Sequence, residues 1–267
     1  MRAVSIDELH ELLLAMAQEM HSILTKHSIP YYMLGGSQLG AVRHKDIIPW
    51  DDDMDFGVPR QYFDKAIKVL SQELPERYKI HSTYDSPRML GDLCKIEDTT
   101  TLIQETGWKS HLKDEMGVFI DIFPLDYSNG KYGFFSRDHI IDSLLGIQKY
   151  RFFSIKPRPF VKKIIALFIK FIFCWMNRKF VTSFIRNFML KKSGTHYANY
   201  YGAWGRKETV AISAFGEPTL YKMNKIELFG VQDYDTYLKS LYKNYMELPP
   251  VEKRKAHIAG MFYRESD

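Results

Sequence analysis

The sequence predicts an α+β fold, and three observations lead to it. The chain opens with a helical apolar period, in which Ile6, Leu9, Leu13, Met16, Met20 and Ile23 fall on one face. Short apolar or alternating runs bounded by Gly, Pro and Asp follow, as strands require. From about Arg151 to Lys192 the chain turns apolar and basic, without one Asp or Glu, which reads as a set of helices. A length of 267 residues suits one core with a smaller lobe attached. We therefore expect a catalytic core over residues 1–150. Residues 151–267 are expected to form a basic helical lobe that ends in an aromatic loop and a last helix.

The elements are expected in this order. An amphipathic helix spans 1–27 and has none of the character of a secretory leader. A buried strand over 31–34 closes at Gly35 and Gly36, and Ser37 caps a helix running to Arg43. Residues 51–58 alternate as a second strand. Pro59 and Arg60 open a helix carrying Tyr62, Ile67 and Leu70. Further strands are expected over 78–83, 88–96, 101–104 and 118–123. The last helix, 234–246, is stopped by Pro249 and Pro250.

Composition narrows the partners. A net charge of +5 favours an anionic partner, but no base-stacking or groove-binding module accompanies it, so nucleic acid is not expected. An aromatic share of 15% suits a packed core and also the binding of sugars, nucleobases or a quaternary ammonium. Cys94 and Cys174 stand far apart, which fits a reducing cytoplasm and gives no paired spacing for zinc.

The chemistry is concentrated between Gly35 and Asp55. A strand, a Gly35-Gly36-Ser37 turn and a helix start present backbone N–H groups and a positive dipole end, which favour phosphate. In a strand, Asp51, Asp53 and Asp55 would share one face, roughly 6–7 Å apart. Three carboxylates so placed repel one another unless a cation lies among them, and hard oxygen donors suit Mg²⁺ or Mn²⁺. A helix-loop-helix calcium site is excluded, because its sixth and twelfth positions would be Phe56 and Tyr62. Asp121 interrupts the apolar run from Val118 to Phe123, and a buried strand seldom carries Asp unless it is paired or ligated. It is expected to act as a further metal ligand or as the base for an attacking hydroxyl. Asp126 is read as the cap of the following turn. Arg43, His44, Lys45 and Lys95 supply the positive charge that phosphoryl transfer needs.

The run from Leu34 to Phe56 resembles the LicD family of the nucleotidyltransferase superfamily, which includes phosphocholine transferases and fukutin-related proteins. Asp121 falls in a segment similar to that family's Phe-Ile-Asp-Ile-Phe-Pro-Leu-Asp, and Tyr242 to Pro250 resembles its closing motif. There Lys243 and Asn244 stand where the family usually has Gly-Asp. The resemblance implies a nucleotidyltransferase-like mixed sheet with flanking helices. It implies metal-dependent transfer of phosphocholine, or a similar phospho-alcohol, from CDP-choline or a related donor to a hydroxyl of a teichoic acid or lipopolysaccharide precursor. Asp51, Asp53, Asp55 and Asp121 would hold the metal, with Asp53, Asp55 and Asp121 catalytic. Gly35, Gly36, Ser37, Arg43, His44, Lys45, Trp50 and Lys95 would contact the donor. Trp50, Trp108, Trp204 and the Tyr197–Tyr201 cluster could cage a trimethylammonium head.

Two other readings stand beside this one: nucleotidyl transfer to a small-molecule hydroxyl, and a non-catalytic glycan-binding scaffold. The apolar run over 164–176 contains Lys170 and is too short to span a bilayer, which takes about 20 residues. It is expected either to lie in the cytoplasmic membrane interface, with Lys162, Lys163, Arg178 and Lys179 toward anionic lipid and a lipid-linked acceptor at hand, or to be buried between the lobes.

Overall fold

A computed structural model of the chain bears out the α+β class and describes residues 2–82, 89, 91–105, 116–133, 135–152, 160–172, 176–254 and 258–264. Trp108, Cys174, part of the expected 88–96 strand and the side chains of Lys162 and Lys163 lie outside the described residues.

Strand β1 (Arg2–Ala3) precedes helix α1 (Ile6–Lys26). The helix starts at Ile6, the first residue of the apolar period and later than the expected residue 1, because Ser5 and Glu8 form a capping box. Glu8 N–H donates to Ser5 Oγ at 3.2 Å, and Ser5 N–H donates to Glu8 Oε2 at 2.9 Å. Then come β2 (Tyr32–Met33), α2 (Gly35–Arg43), β3 (Asp55–Pro59), α3 (Arg60–Glu73), β4 (Tyr78–Ser82), β5 (Cys94–Asp98), β6 (Thr101–Glu105) and β7 (Phe119–Ser128). The central sheet runs β2-β3-β7-β5-β4. It is mixed: β3 lies parallel to β7, and the other pairs along this path are antiparallel.

Strand β7 shows how the two faces are divided. Ile120 and Ile122 join Phe56, Val58 and Ile96 under α1 and α3, packed on Leu13, Met16, Phe63 and Leu70. Phe123 and Leu125 point the other way, to a second core with Leu34, Phe215, Tyr237, Leu238 and Leu241. Burial of each such side chain contributes on the order of 1.5–3 kcal/mol. Asp121 has the parity of Phe123, so it belongs to the second face.

After β7 come α4 (Arg137–Phe152), α5 (Phe160–Ile172) and α6 (Arg178–Met189). Arg186 of α6 ties this group to the core through Asp64 at 2.6 Å and Asp92 at 3.1 Å. Asp92 also takes Arg60 at 2.6 Å, and the Arg60 fork clasps Asp126 at 2.7 and 2.9 Å. Asp126 is therefore a fully buried partner of Arg60 and not the turn cap expected from the sequence.

The following stretch departs most from expectation. In place of an aromatic loop it forms β8 (His196–Ala198), β9 (Thr209–Ala211), α7 (Ile212–Phe215), β10 (Thr219–Met223) and β11 (Ile226–Gly230), then α8 (Tyr234–Tyr242) and β12 (Ile258–Tyr263). Strand β8 extends the sheet on the far half of β7, with Asp126 opposite Ala198, and β12 lies between β1 and β6. Strands β8 and β9, of three residues each, are too short to display a period of their own, and β12 finds its partners β1 and β6 far away in the chain, whereas β10 and β11 pair locally as a hairpin. Helix α8 stops at Tyr242, short of the expected Met246, where Lys243 turns to φ +59°.

On α5, Ile164, Leu167, Phe168, Phe171 and Ile172 recur at helical spacing and are exposed, Phe171 to 79% and Leu167 to 61%. Phe180, Phe184 and Phe188 continue an exposed apolar stripe on α6. Burial of the described part of this run between two lobes is thereby excluded. Among the described residues, no helix is long and apolar enough to cross a membrane.

Candidate functional site

The site is built on β7. Asp121 lies in register with Asp55 on β3 at one side and Lys95 on β5 at the other. Residues in register project to the same side of a sheet, so an acid, an acid and a base form one row across three strands. Lys95 Nζ donates to both Asp121 carboxylate oxygens, at 2.5 and 2.7 Å, and rests 3.4 Å from the centre of the Phe119 ring. The ion pair and the ring together hold the two charges in one orientation.

Helix α2 brings its start against this row. Gly35 adopts φ +48°, a backbone that glycine takes without strain, and its N–H donates to Tyr237 Oη at 2.9 Å. A Cβ on Gly36 would lie 2.6 Å from Asp51 Oδ2, so this position must be bare for Asp51 to approach the helix. Ser37 does not cap the helix, which begins at Gly35 after Leu34 with no side-chain cap. Its hydroxyl instead accepts the Asp55 N–H at 2.8 Å and fastens the first residue of β3.

Residues 51–54 run as a loop, so the strand alternation expected from Asp51 onward starts only at Asp55. Asp51, Asp53 and Asp55 nevertheless line one cleft of about 700 Å³, with Gly36, Arg43, Trp50, Trp204 and Tyr242. Carboxylate oxygens of Asp51, Asp52 and Asp53 all come within 4.8 Å of one another. Burial, then Asp53, Asp121 and Glu208, push the Asp55 carboxyl well above its usual range, against the opposing pull of Lys95. Crowded hard-oxygen donors of this kind fit a divalent ion such as Mg²⁺ or Mn²⁺.

The expected cations separate. Arg43 lines the cleft and donates to the Tyr245 carbonyl at 2.7 Å. His44 and Lys45 are not among the cleft's lining residues. His44 packs edge-on to Trp50, and Lys45, at φ +57°, turns the chain while its carbonyl accepts from Asn224 N–H at 2.7 Å. Trp50 does line the cleft, but Arg254 covers its ring at 4.9 Å, so that face is taken. The other aromatic pair on the cleft wall is exposed Trp204 with half-buried Tyr242, edge to face at 4.9 Å, and Lys207 stands over the Trp204 ring at 5.2 Å, as Arg254 does over Trp50. Within the Tyr197–Tyr201 cluster, Tyr197 packs in the core against Phe215, and Tyr201 faces the site.

Sequence reasoning missed Glu208. It sits buried on a short turn that bounds a space of about 250 Å³, together with Gly35, Asp53, Asp55, Asp121 and Tyr201. It accepts from Asn199 Nδ2 at 2.7 Å and from the Trp204 N–H at 2.8 Å, and burial pushes its carboxyl up to about 7. Gly202 leaves room for it, since a Cβ there would meet Glu208 at 2.1 Å. Nothing in the loop around Glu208 shows a period. An acid followed by the β-run Thr209-Val210-Ala211 was the one available signal.

A family model described as the LicD/FKTN/FKRP nucleotidyltransferase domain matches residues 28–166. The chain is 27% identical over 267 aligned positions to lipopolysaccharide cholinephosphotransferase LicD of Haemophilus influenzae, covering 96% of this chain and 97% of that protein. It is also 48% identical over 42 positions to ribitol 5-phosphate transferase FKRP of mouse and of human, a segment covering 16% of this chain and 8% of those proteins.

Proposed function

The chain belongs to the LicD/FKTN/FKRP family, and from that premise we propose that it transfers a phospho-alcohol, phosphocholine in the first instance, from a CDP-activated donor to a hydroxyl of a teichoic acid or lipopolysaccharide glycan precursor. The observation that carries this reading is the row Asp55–Asp121–Lys95 set against the glycine start of α2, with Asp51 and Asp53 on the wall of the same cleft. The names of the relatives, a cholinephosphotransferase and a ribitol phosphate transferase, support transfer of a phosphorylated alcohol as the class of reaction.

In this reading Asp51, Asp53, Asp55 and Asp121 hold a Mg²⁺ or Mn²⁺ ion. When bound, that ion supplies Lewis-acid stabilisation of charge on the transferring phosphoryl group. The chain's own groups do the remaining work. The start of α2 offers backbone N–H groups for the donor's diphosphate, the bare Gly36 brings Asp51 up to that helix start, and Arg43 lies in the same cleft. Ser37 fixes Asp55, and Lys95 fixes Asp121. Asp121 or Glu208 receives the acceptor's proton; a carboxyl near 7 is matched to that task at neutral pH. Of the cleft's aromatic rings, Trp50 carries Arg254 and Trp204 carries Lys207, which leaves Tyr242 for contact with a quaternary ammonium.

The exposed apolar stripe of α5 and α6, with Lys170 and Lys179 beside it, suits the headgroup region of an anionic bilayer on the cytoplasmic side, where a lipid-linked acceptor is presented. Arg178, expected to face lipid, donates instead to the Met89 carbonyl at 2.9 Å. The function is tested by mass-spectrometric detection of CMP when the protein and Mg²⁺ meet CDP-choline, CDP-ethanolamine, CDP-glycerol and CDP-ribitol, each with a glycan acceptor. CMP release from at least one is expected. Release from none, with nucleoside triphosphates consumed instead, overturns it.

A further inference from the structure

Beyond the cleft that holds Gly36 and Arg43, a second cleft of about 540 Å³ opens on the other side of the carboxylate row. Asp121, Phe123, Tyr201 and Gly202 wall both this second cleft and the 250 Å³ space where Asp53, Asp55 and Glu208 converge. Gly36, Asp53, Asp55 and Trp204 wall both that space and the first cleft. The three cavities thus follow one another, with the acids in the middle. Phosphoryl transfer requires the attacking and leaving oxygens to lie roughly in line on opposite sides of phosphorus. A donor seated at Gly36 and Arg43 leaves the second cleft for the nucleophile.

The second cleft also has the chemistry of a polyol site. Four of its charges are paired, Lys95 with Asp121 and Arg206 with Asp142 at 3.4 Å, and Lys149 adds one further cation to the wall. Cations and carboxylates paired side by side suit a group that both donates and accepts. Gln148 of α4 is fully buried on its wall, and its Nε2 donates to Thr182 Oγ1 at 2.8 Å. Its Oε1 has no partner among the described residues. Because Thr182 can donate or accept, turning the amide over would leave the other amide atom unpaired. That atom is itself buried, so an occupant's hydroxyl repairs the deficit once the amide turns toward the cleft that Gln148 lines. Two residues away, Gly146 stands inside a helix that glycine weakens, lines the cleft, and would carry a Cβ with nothing within 4 Å. The space is kept open by a residue that the helix itself does not favour.

We propose that the cleft between α4 and the Lys95–Asp121 pair binds the hydroxyl-rich sugar of the acceptor, with Gln148 as a hydrogen-bonding contact and Gly146 as the residue that leaves room for it. The proposal rests on the function inferred above and gives that reaction its second subsite. The acceptor oxygen bonds to the phosphorus that carries the alcohol, the bond from that phosphorus to the CMP oxygen breaks, and the hydroxyl proton passes to a carboxylate of the row.

The test uses the full chain and three probes: methyl galactoside, methyl glucoside and methyl N-acetylglucosaminide. Saturation-transfer NMR should detect at least one of them on the wild-type protein. Gly146→Phe should weaken that binding at least tenfold without lowering the thermal midpoint, because the new side chain enters open space. Gln148→Leu should also weaken it. Loss of binding in Gly146→Phe with an intact thermal midpoint supports the subsite. Binding of no probe to the wild-type protein, or equal binding to both variants, overturns it. Titration of CDP-choline into the wild-type protein judges the other reading separately: absence of donor binding counts against the proposed function and leaves the glycoside result standing.

Discussion

Replacing Glu208 by Gln tests whether the carboxyl beneath the acidic row is held in an environment that disfavours its charge. Burial raises it from an ordinary 4.5 to about 7, against the two hydrogen bonds that favour the ionised form. The sign follows from linkage. A carboxyl that is raised in the folded state binds its proton more tightly there than in the unfolded chain. The associated stability is complete below pH 4.5 and is lost as pH rises through 7. At 1.36 kcal/mol per pH unit, the interval amounts to roughly 3 kcal/mol, an order-of-magnitude figure. The amide introduced by Glu208→Gln cannot ionise, so the variant should lack this slope. It will carry a separate, pH-independent penalty, because the new Nε2 must face the Asn199 amide that now donates to Glu208. The readout is therefore a difference of differences. Urea unfolding of both proteins at pH 5 and pH 8 should show the variant gaining about 2–3 kcal/mol relative to wild type between the two conditions. An offset that is the same at both pH values would refute the reasoning.

Asp55→Asn should leave the thermal midpoint intact or raised, because it relieves repulsion from Asp53 and Asp121, yet reduce transfer by at least about 100-fold, since even outer partners of metal ligands are worth 10–100-fold. Parallel melting curves and CMP assays check both halves. Lys243→Gly should stabilise the protein by about 1 kcal/mol, seen as a higher denaturation midpoint, because Lys243 ends α8 at φ +59°. Tyr242→Ala should erase a preference for CDP-choline over CDP-ethanolamine worth on the order of 1–2 kcal/mol, whereas Trp50→Ala and Trp204→Ala, whose rings Arg254 and Lys207 already cover, should not; competition titrations decide. Replacing Lys170 and Lys179 by Gln should weaken flotation with anionic vesicles and leave turnover on a soluble acceptor fragment unaltered, since these residues lie on the α5–α6 surface.

What could be read from the sequence was local chemistry. The glycines before Ser37, the acids from Asp51 to Asp55 and the lone acid in an apolar strand are written within short windows, and the structure gathers Gly36, Asp51, Asp53, Asp55 and Asp121 around joined cavities. The cause of that gathering was not legible. It depends on β3 and β7 pairing in parallel at Asp55 and Asp121, and on a Ser37 hydroxyl that meets Asp55 only after folding. Tyr237, Tyr242 and Glu208 reach the site from about two hundred residues beyond Gly35, carried by three-residue strands and a nine-residue helix. Elements that short have no reliable period, and their burial is decided by what they pack against. His44 and Lys45 stand outside the cleft's lining for the opposite reason. Nearness in sequence to the phosphate turn suggested proximity, but a positive φ at Lys45 swings the backbone away.

The most direct test of the proposed chemistry is phosphorus NMR of wild-type protein with Mg²⁺, CDP-choline and a deacylated lipopolysaccharide acceptor. The two diphosphate signals of the donor should give way to one CMP monoester signal and one new phosphodiester on the glycan, and Asp55→Asn should leave the donor unchanged. Persistence of the diphosphate with wild-type protein, or pyrophosphate appearing from a nucleoside triphosphate in its place, would contradict it.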